Sequence, residues 1–398
     1  MWGERSSITN AVIVGAFLAA LAGISVLAWA VASPGLEDEP PLTGAITDDH
    51  LVYLLGPNEI IVVDPESREI AHTIATGMNP EIALAPDGAR IYLTDGSGND
   101  EILSVIDSRD WQVVAQLPSP DRTIAIGGGS SGMAVSADGR YVYIHKRQLL
   151  EGQHMGAHGS APNTDYWWDI YDATTEGFSD SPPHVPNCGV AQILPPLNGS
   201  SSLAVLCYHL ADLVFVDLQS GEVTGVITSV DPTSGDICAR RDTSVAAAVQ
   251  APDGTIYLVT TEGCVRVIDP VAMAVTDAFA LDIPTGERIL YSTVALSPTG
   301  ERLVLGVGPE TSASTEAWVI DLASQSLLST FPLEPSAWNF AVSPDGSLLY
   351  AVSQEAPHQA EEAAAESSLL AFDIATGGEV WRVTAPNAPE VVRVAPRP

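Results

Sequence analysis

"APDGARIYL", residues 85–93, joins a Pro-Asp-Gly turn to a run of β-forming side chains, a combination typical of a β-hairpin. The same pattern recurs along the chain. The related segments are SADGRYVYI (136–144), APDGTIYLV (251–259), SPTGERLVL (297–305) and SPDGSLLYA (343–351). Recurrence of one hairpin within a chain of 398 residues predicts a repeat architecture.

A second pattern is more regular: an apolar strand ends in aspartate and continues through a turn into another apolar strand, as in VIDLASQSLLSTF (319–331). It occurs seven times. The aspartates are Asp64, Asp107, Asp172, Asp217, Asp269, Asp321 and Asp373. Because an aspartate at the end of a strand can accept hydrogen bonds from the backbone of the next turn, we expect structural roles for all of them.

Together the two patterns give four short strands per repeat, and a period of roughly 40–50 residues with four strands is typical of a β-propeller. We therefore expect an all-β protein, a seven-bladed β-propeller over residues 50–398. The final segment EVVRVAPRP (390–398) matches the first strand of the repeat, and HLVYLLG (50–56) matches the second. The sequence thus predicts that the C-terminal strand joins the N-terminal blade and closes the ring, which removes free strand edges.

The N-terminal residues lie outside the repeats. A short start (1–10), expected in the cytoplasm, precedes an uncharged run (11–32) that is long enough to cross a bilayer as a helix. A proline-containing tether (33–49) follows. Since Arg5 precedes the apolar run and acidic residues follow it, we expect one transmembrane anchor with the propeller on the extracytoplasmic side, periplasmic or at the cell surface. A cleaved signal peptide is the alternative.

The charge balance restricts the partners. The chain has 50 acidic and 16 basic residues, a formal net charge of −34. Such a surface repels nucleic acid and anionic membranes and attracts basic proteins or cations. We therefore expect no nucleic-acid partner.

Four cysteines occur, and no two of them have the Cys-x-x-Cys spacing of a zinc site. On the extracytoplasmic side two disulfides are expected. The sequence alone permits three pairings. We favour Cys188–Cys207 and Cys238–Cys264, because the members of each pair can lie on neighbouring strands.

The hairpin and aspartate patterns resemble the YVTN-type propellers. Segments 184–218, 318–353 and 377–396 are similar to a narrower family, the heavy chain of quinoprotein amine dehydrogenase, and the hairpin flanked by Cys188 and Cys207 is the most specific part of the likeness. The resemblance implies a periplasmic, seven-bladed subunit that binds no cofactor itself. It also implies a protein partner, a small cysteine-rich light chain that carries a tryptophan-derived quinone.

No compact catalytic motif is present: the sequence has no GxSxG, no HExxH and no phosphate-binding loop with its lysine. We therefore assign no catalytic residue. The third repeat contains a long insertion with candidate ligand- or partner-contacting residues. These are His145, His154, His158, Trp167, Trp168 and His184. His154 and His158 have the spacing of a helical metal pair, but the nearby glycines argue against a helix, so we expect no metal site.

The seventh repeat has a second insertion, 354–368, which follows the equivalent strand. Because strand direction alternates within a blade, equivalent loops share a face, and we expect both insertions to mark the functional face. The sequence thus favours a membrane-anchored, non-catalytic scaffold or binding subunit. The alternative is a stand-alone lactonase-like hydrolase or other propeller enzyme, with a metal in a central channel.

Overall fold

The protein is all-β throughout the residues that the computed structural model describes, and no helix occurs among them. The described residues are 49–77, 80–94, 102–118, 124–125, 132–148, 165–179, 188, 190–196, 201–207, 212–228, 238, 244–309, 313–354, 367–386, 389 and 391–398. Within these ranges there is no apolar helix of membrane-spanning length. The start, the predicted anchor and the tether up to residue 48 lie outside them.

The strands form small antiparallel sheets in which neighbours along the chain pair with one another. We group them into seven units. Unit 1 contains β28 (Val391–Pro396), β1 (His50–Leu55), β2 (Glu59–Asp64) and β3 (Glu69–Ala75). Unit 2 contains β4 (Glu81–Leu84), β5 (Arg90–Thr94), β6 (Ile102–Asp107) and β7 (Gln112–Pro118). Unit 3 contains β8 (Ile124–Ala125), β9 (Met133–Val135), β10 (Tyr141–Gln148), β11 (Asp165–Asp172) and β12 (Gly177–Phe178).

The remaining units follow the same order. Unit 4 contains β13 (Val190–Leu194), β14 (Ser202–Cys207), β15 (Asp212–Asp217) and β16 (Val223–Ile227). Unit 5 contains β17 (Val245–Gln250), β18 (Ile256–Thr260), β19 (Cys264–Asp269) and β20 (Ala274–Ala280). Unit 6 contains β21 (Glu287–Leu296), β22 (Arg302–Pro309), β23 (Ser314–Asp321) and the first half of β24 (Ser326–Val342). Unit 7 contains the second half of β24, then β25 (Leu348–Gln354), β26 (Ser367–Asp373) and β27 (Glu379–Ala385).

The C-terminal strand completes the first unit, as the sequence predicts. β28 pairs with β1 along its whole length, from Pro396 opposite His50 to Val391 opposite Leu55. The buried His50 ring also shares a hydrogen bond of 2.7 Å with the Tyr350 hydroxyl of unit 7. These contacts join the first and last strands of the described chain.

Hydrophobic clusters lie between consecutive units. In β2, for example, Val62 packs in the cluster between units 1 and 2, whereas Val63 packs in the cluster between units 7 and 1. Seven such clusters occur among the described residues, one for each neighbouring pair of units. Both faces of a unit are therefore buried, which explains the near-continuous apolar runs in the second and third strands.

The aspartate turns have one geometry in all seven units. Each aspartate carboxylate accepts a backbone N–H of its own turn, as Asp172 does from Thr174 at 2.8 Å. The fourth residue after each aspartate has a positive φ. These residues are Arg68, Trp111, Glu176, Gly221, Met273, Gln325 and Gly377. The left-handed residue is the last of a four-residue hairpin loop, because the aspartate pairs with the fifth residue after it, as Asp64 does with Glu69.

We expect Gly377→Ala to destabilise the protein more than Gly286→Ala. Both glycines have a positive φ, at which an L side chain costs about 1–2 kcal/mol. A Cβ at Gly286 would meet nothing within 4 Å, whereas one at Gly377 would overlap the Phe331 side chain. Urea unfolding of both variants measures the difference, and equal losses of unfolding free energy would contradict the packing argument.

Acid should weaken the turn of unit 3. The Arg140 guanidinium donates to Asp172, with the Nη2–Oδ2 pair at 2.8 Å, and this is the largest cause of the lowered Asp172 pKa. A carboxylate whose pKa is lower in the folded than in the unfolded state stabilises the fold above its unfolded pKa, and the stabilisation is lost as pH falls through the folded pKa. The stability difference between wild type and Asp172→Asn should therefore shrink below about pH 4. Urea titrations from pH 7 to pH 3 test this, and a constant difference would contradict it.

Candidate functional site

Two of the candidate loop residues lie in strands. His145 in β10 and Trp168 in β11 are opposite each other in the ladder, with ring centroids 5.9 Å apart. Both are buried, at 2% and 0% exposure. The insertion of the third repeat thus lies between Gln148 and Asp165. His145 and Trp168 belong to the core, in the two strands that lead into and out of this insertion. His154, His158, His184 and the Trp167 side chain lie outside the described residues.

Trp168 packs beside a disulfide. It shares the cluster between units 3 and 4 with Cys188 and Cys207, which are bonded to each other with Cα atoms 4.9 Å apart. The second disulfide joins Cys238 to Cys264, with Cα atoms 5.7 Å apart. Both favoured pairings are therefore confirmed. The buried first disulfide fixes the segment before β13 against the end of β14.

The two insertions follow equivalent strands. β25 is the second strand of unit 7, and β10 is its counterpart in unit 3, where the short strands β8 and β9 both pair with β10 in place of a single first strand. We call the end of a unit at which its second strand finishes the loop end. The opposite end carries the Pro-Asp-Gly and aspartate turns, and we call it the turn end. The segments between β10 and β11 and between β25 and β26 both depart from loop ends.

Buried polar side chains occupy the first strands of the units, which we call the inner strands. Glu81 begins β4 and is 8% exposed. Burial lowers the pKa of Arg393 in β28, and the negative charge of Glu81 acts in the opposite direction. Gly132 leaves room for the Glu81 carboxylate, because a Cβ at this position would overlap it. The buried Glu81 carboxylate of unit 2 thus attracts the half-buried Arg393 of unit 1 and lies against Gly132, which directly precedes β9 of unit 3.

Two amide side chains connect other inner strands. The Asn339 Oδ1 in unit 7 accepts the backbone N–H of Val392 in unit 1 at 3.1 Å. The Gln192 Oε1 in unit 4 accepts the N–H of Ala248 in unit 5 at 3.0 Å. These bonds satisfy backbone donors that face a neighbouring unit instead of a strand partner.

Two cavities flank unit 3 at its turn end. One, of about 580 Å³, lies between units 3 and 4, and the other, of about 470 Å³, lies between units 2 and 3. The outer strand β12 has only two residues, and both border the larger cavity. The sequence analysis missed these cavities, which no repeated pattern in the sequence marks.

Neither family models nor curated proteins match this sequence. Within the described part of the chain, no three His, Cys, Asp or Glu side chains are placed to hold a metal ion together.

Removing the Glu81 charge should destabilise the inner strands, because it removes a negative charge that attracts the half-buried Arg393 guanidinium. We expect Glu81→Gln to cost about 1–2 kcal/mol. Adding Arg393→Met should restore most of this loss, since the unmatched charge is then removed. Glu287→Gln, at the start of the inner strand β21, is the matched control and should change stability by less than about 0.5 kcal/mol. Equal effects of Glu81→Gln and Glu287→Gln in urea unfolding would refute the charge pairing.

Proposed function

We propose that the seven units form a closed seven-bladed β-propeller that serves as a non-catalytic scaffold or binding subunit. The observation that carries the proposal is the sequential packing: each unit shares a hydrophobic cluster with the next, and unit 7 shares one with unit 1. A four-stranded sheet with two apolar faces needs a neighbour on both sides. Radial closure is the arrangement that supplies both neighbours to every unit.

The inner strands support the same arrangement. β4 contacts β9, β9 contacts β13, β13 contacts β17, β17 contacts β21, β21 contacts β24, and β24 contacts β28. The electrostatic interaction of Arg393 with Glu81 connects β28 to β4. A ring of first strands around one axis has this order of neighbours.

We place the propeller on the extracytoplasmic side of a membrane. Two disulfides fit an oxidising compartment, and all four cysteines are buried within them. The uncharged segment 11–32 would anchor the chain.

The likeness to the amine dehydrogenase heavy chain supports a partner-binding role. In this proposal a small cysteine-rich light chain holds a tryptophan-derived quinone, and the propeller contributes a rigid platform without a cofactor of its own. The disulfide between Cys188 and Cys207 supports the likeness, because it closes the hairpin on which the resemblance depends. The insertions at the loop ends of units 3 and 7 are the proposed contact region, since long loops on rigid scaffolds commonly carry binding residues.

Purification of the tagged full-length protein from its native membranes tests the proposal. We expect a small disulfide-rich chain to co-purify with it, together with the absorption band of a quinone. A colourless preparation without such a chain would contradict the heavy-chain assignment. Lactone hydrolysis by that preparation, abolished by a chelator, would favour the hydrolase alternative instead.

Replacement of residues 149–164 by Asn-Gly should abolish capture of this partner, because it removes the insertion and leaves a two-residue turn between Gln148 and Asp165, which are paired in the ladder of β10 and β11. The matched control is Val271→Ser, which changes a residue that is 85% exposed at the turn end of unit 5. Circular dichroism and urea unfolding of both variants confirm that the fold is retained. Undiminished capture by the replacement variant would exclude the insertion as the contact region.

A further inference from the structure

The larger cavity, between units 3 and 4, has the dimensions of a small-molecule site. Its volume of about 580 Å³ lies within the range of roughly 300–1,000 Å³ of ligand pockets. The third unit contributes most of the wall, and the fourth closes one side. The lining residues used below are Asp138, Tyr141, Tyr143, Ile170, Phe178 and Leu218. We call this space the unit 3–4 cavity.

The apolar part of the lining consists of one aromatic ring and aliphatic groups. Tyr141 is half-buried and lines the cavity with Ile170 and Leu218, whereas the Phe178 ring packs against Tyr171 on the side of unit 2. The Arg140 guanidinium lies 4.6 Å from the centroid of the Tyr141 ring, so this ring already forms a cation–π interaction within the protein. Flat apolar walls of this kind pack against the C–H face of a ring-shaped ligand.

A buried tyrosine supplies the first polar contact. Tyr143 is 1% exposed and lines the cavity, and burial, followed by the nearby charge of Asp138, raises its pKa. Among the described residues, none forms a hydrogen bond with its hydroxyl. Because Tyr143 lines the cavity, a group bound there can accept a hydrogen bond from its hydroxyl.

Asp138 supplies the second polar contact. Its Oδ1 accepts the Ser136 hydroxyl at 2.5 Å and the backbone N–H of Arg140 at 3.1 Å, and these bonds lower its pKa. The carboxylate is therefore ionised at neutral pH and can accept further hydrogen bonds at Oδ2. Both bonds to Oδ1 hold the carboxylate in one orientation beside the cavity.

The polar contacts select the class of ligand. Among the described residues no lysine or arginine lines the cavity, and the nearby Arg140 is already paired with Asp172, so an anion would meet the Asp138 carboxylate without a cation of its own. The ligand must accept from the Tyr143 hydroxyl and donate to Asp138. A hydroxyl group does both, whereas an ammonium group only donates.

We propose that the unit 3–4 cavity binds a neutral, hydroxyl-rich small molecule of the size of a mono- or disaccharide. Tyr143 and Asp138 make the polar contacts, and Tyr141, Ile170 and Leu218 form the apolar wall. This site lies at the turn end of the units and goes beyond the proposed partner binding at the loop ends.

Ligand-observed NMR on the full-length protein in a sugar-free detergent tests the proposal. The probes are glucose, maltose, cellobiose and diacetylchitobiose, each at about 10 mM, a concentration that detects a Kd of about 1 mM. Choline and glucuronate are the cationic and anionic comparison probes. We expect saturation transfer to at least one neutral sugar. Transfer to choline or glucuronate alone, or to none of the probes, would overturn the proposal.

Tyr143→Phe removes only the hydroxyl, and we expect it to weaken binding of the responding sugar about 3- to 10-fold. Tyr257→Phe is the matched control, since Tyr257 occupies the second strand of unit 5 outside the cavity. Unfolding curves establish that both variants keep their stability. Equal affinities of wild type and Tyr143→Phe, or equal losses in both variants, would contradict the assigned contact. Neither outcome depends on whether a light chain is captured.

Discussion

Six consecutive residues of the C-terminal strand pair with six residues of the first strand, and the arrangement of all other units depends on this ladder. Small sheets with two apolar faces are unstable alone, so each unit gains its stability from its neighbours. Without the ladder, units 1 and 7 would each expose an apolar face, and β1 would expose an unpaired edge. The His50–Tyr350 hydrogen bond and the Arg397–Asp64 ion pair lie beside the ladder and fix the same junction. The contact between units 7 and 1 therefore replaces two exposed faces with one buried interface.

The parts of the fold that local chemistry determines could be predicted from the sequence. Aspartate at the end of a strand accepts hydrogen bonds from the next turn whatever surrounds it, and the turns at Asp172 and Asp321 show this geometry. The pairing of the terminal strands was predictable for a related reason: 390–398 and 50–56 each carry half of a pattern that is complete elsewhere. Repetition thus supplied long-range information that a single segment lacks. The disulfides followed, because their cysteines flank neighbouring strands.

Features that depend on how one unit meets the next could not be predicted in this way. His145 lies between the third repeat's hairpin and its insertion, and the sequence alone does not show that β10 continues through it to Gln148. The attraction between Glu81 and Arg393 joins residues far apart in the chain, and the repeated pattern of the first strands does not specify a charge at either position. The cavities lie between units, and no repeated pattern in the sequence marks them. Sequence reasoning pointed to the insertion at one end of unit 3 and did not predict the cavities at its other end.

Unit 3 connects both proposed sites through a single hairpin. Tyr143 and His145 are two residues apart on β10 and therefore point to the same face, toward unit 4. One lines the unit 3–4 cavity, and the other contacts Trp168 at the base of the insertion. A ligand that holds Tyr143 in one position would restrict β10, the strand that leads into the insertion. Binding of a partner at the insertion would restrict Tyr143 through the same strand.

Such coupling between the two binding sites is reciprocal by thermodynamic necessity. It requires that β10 have two arrangements for which the ligands have different affinities. The disulfide between Cys188 and Cys207, packed in the same cluster, restricts how far these arrangements can differ. Any communication between the ends would therefore consist of small shifts of side chains and strand, without a rearrangement of the units.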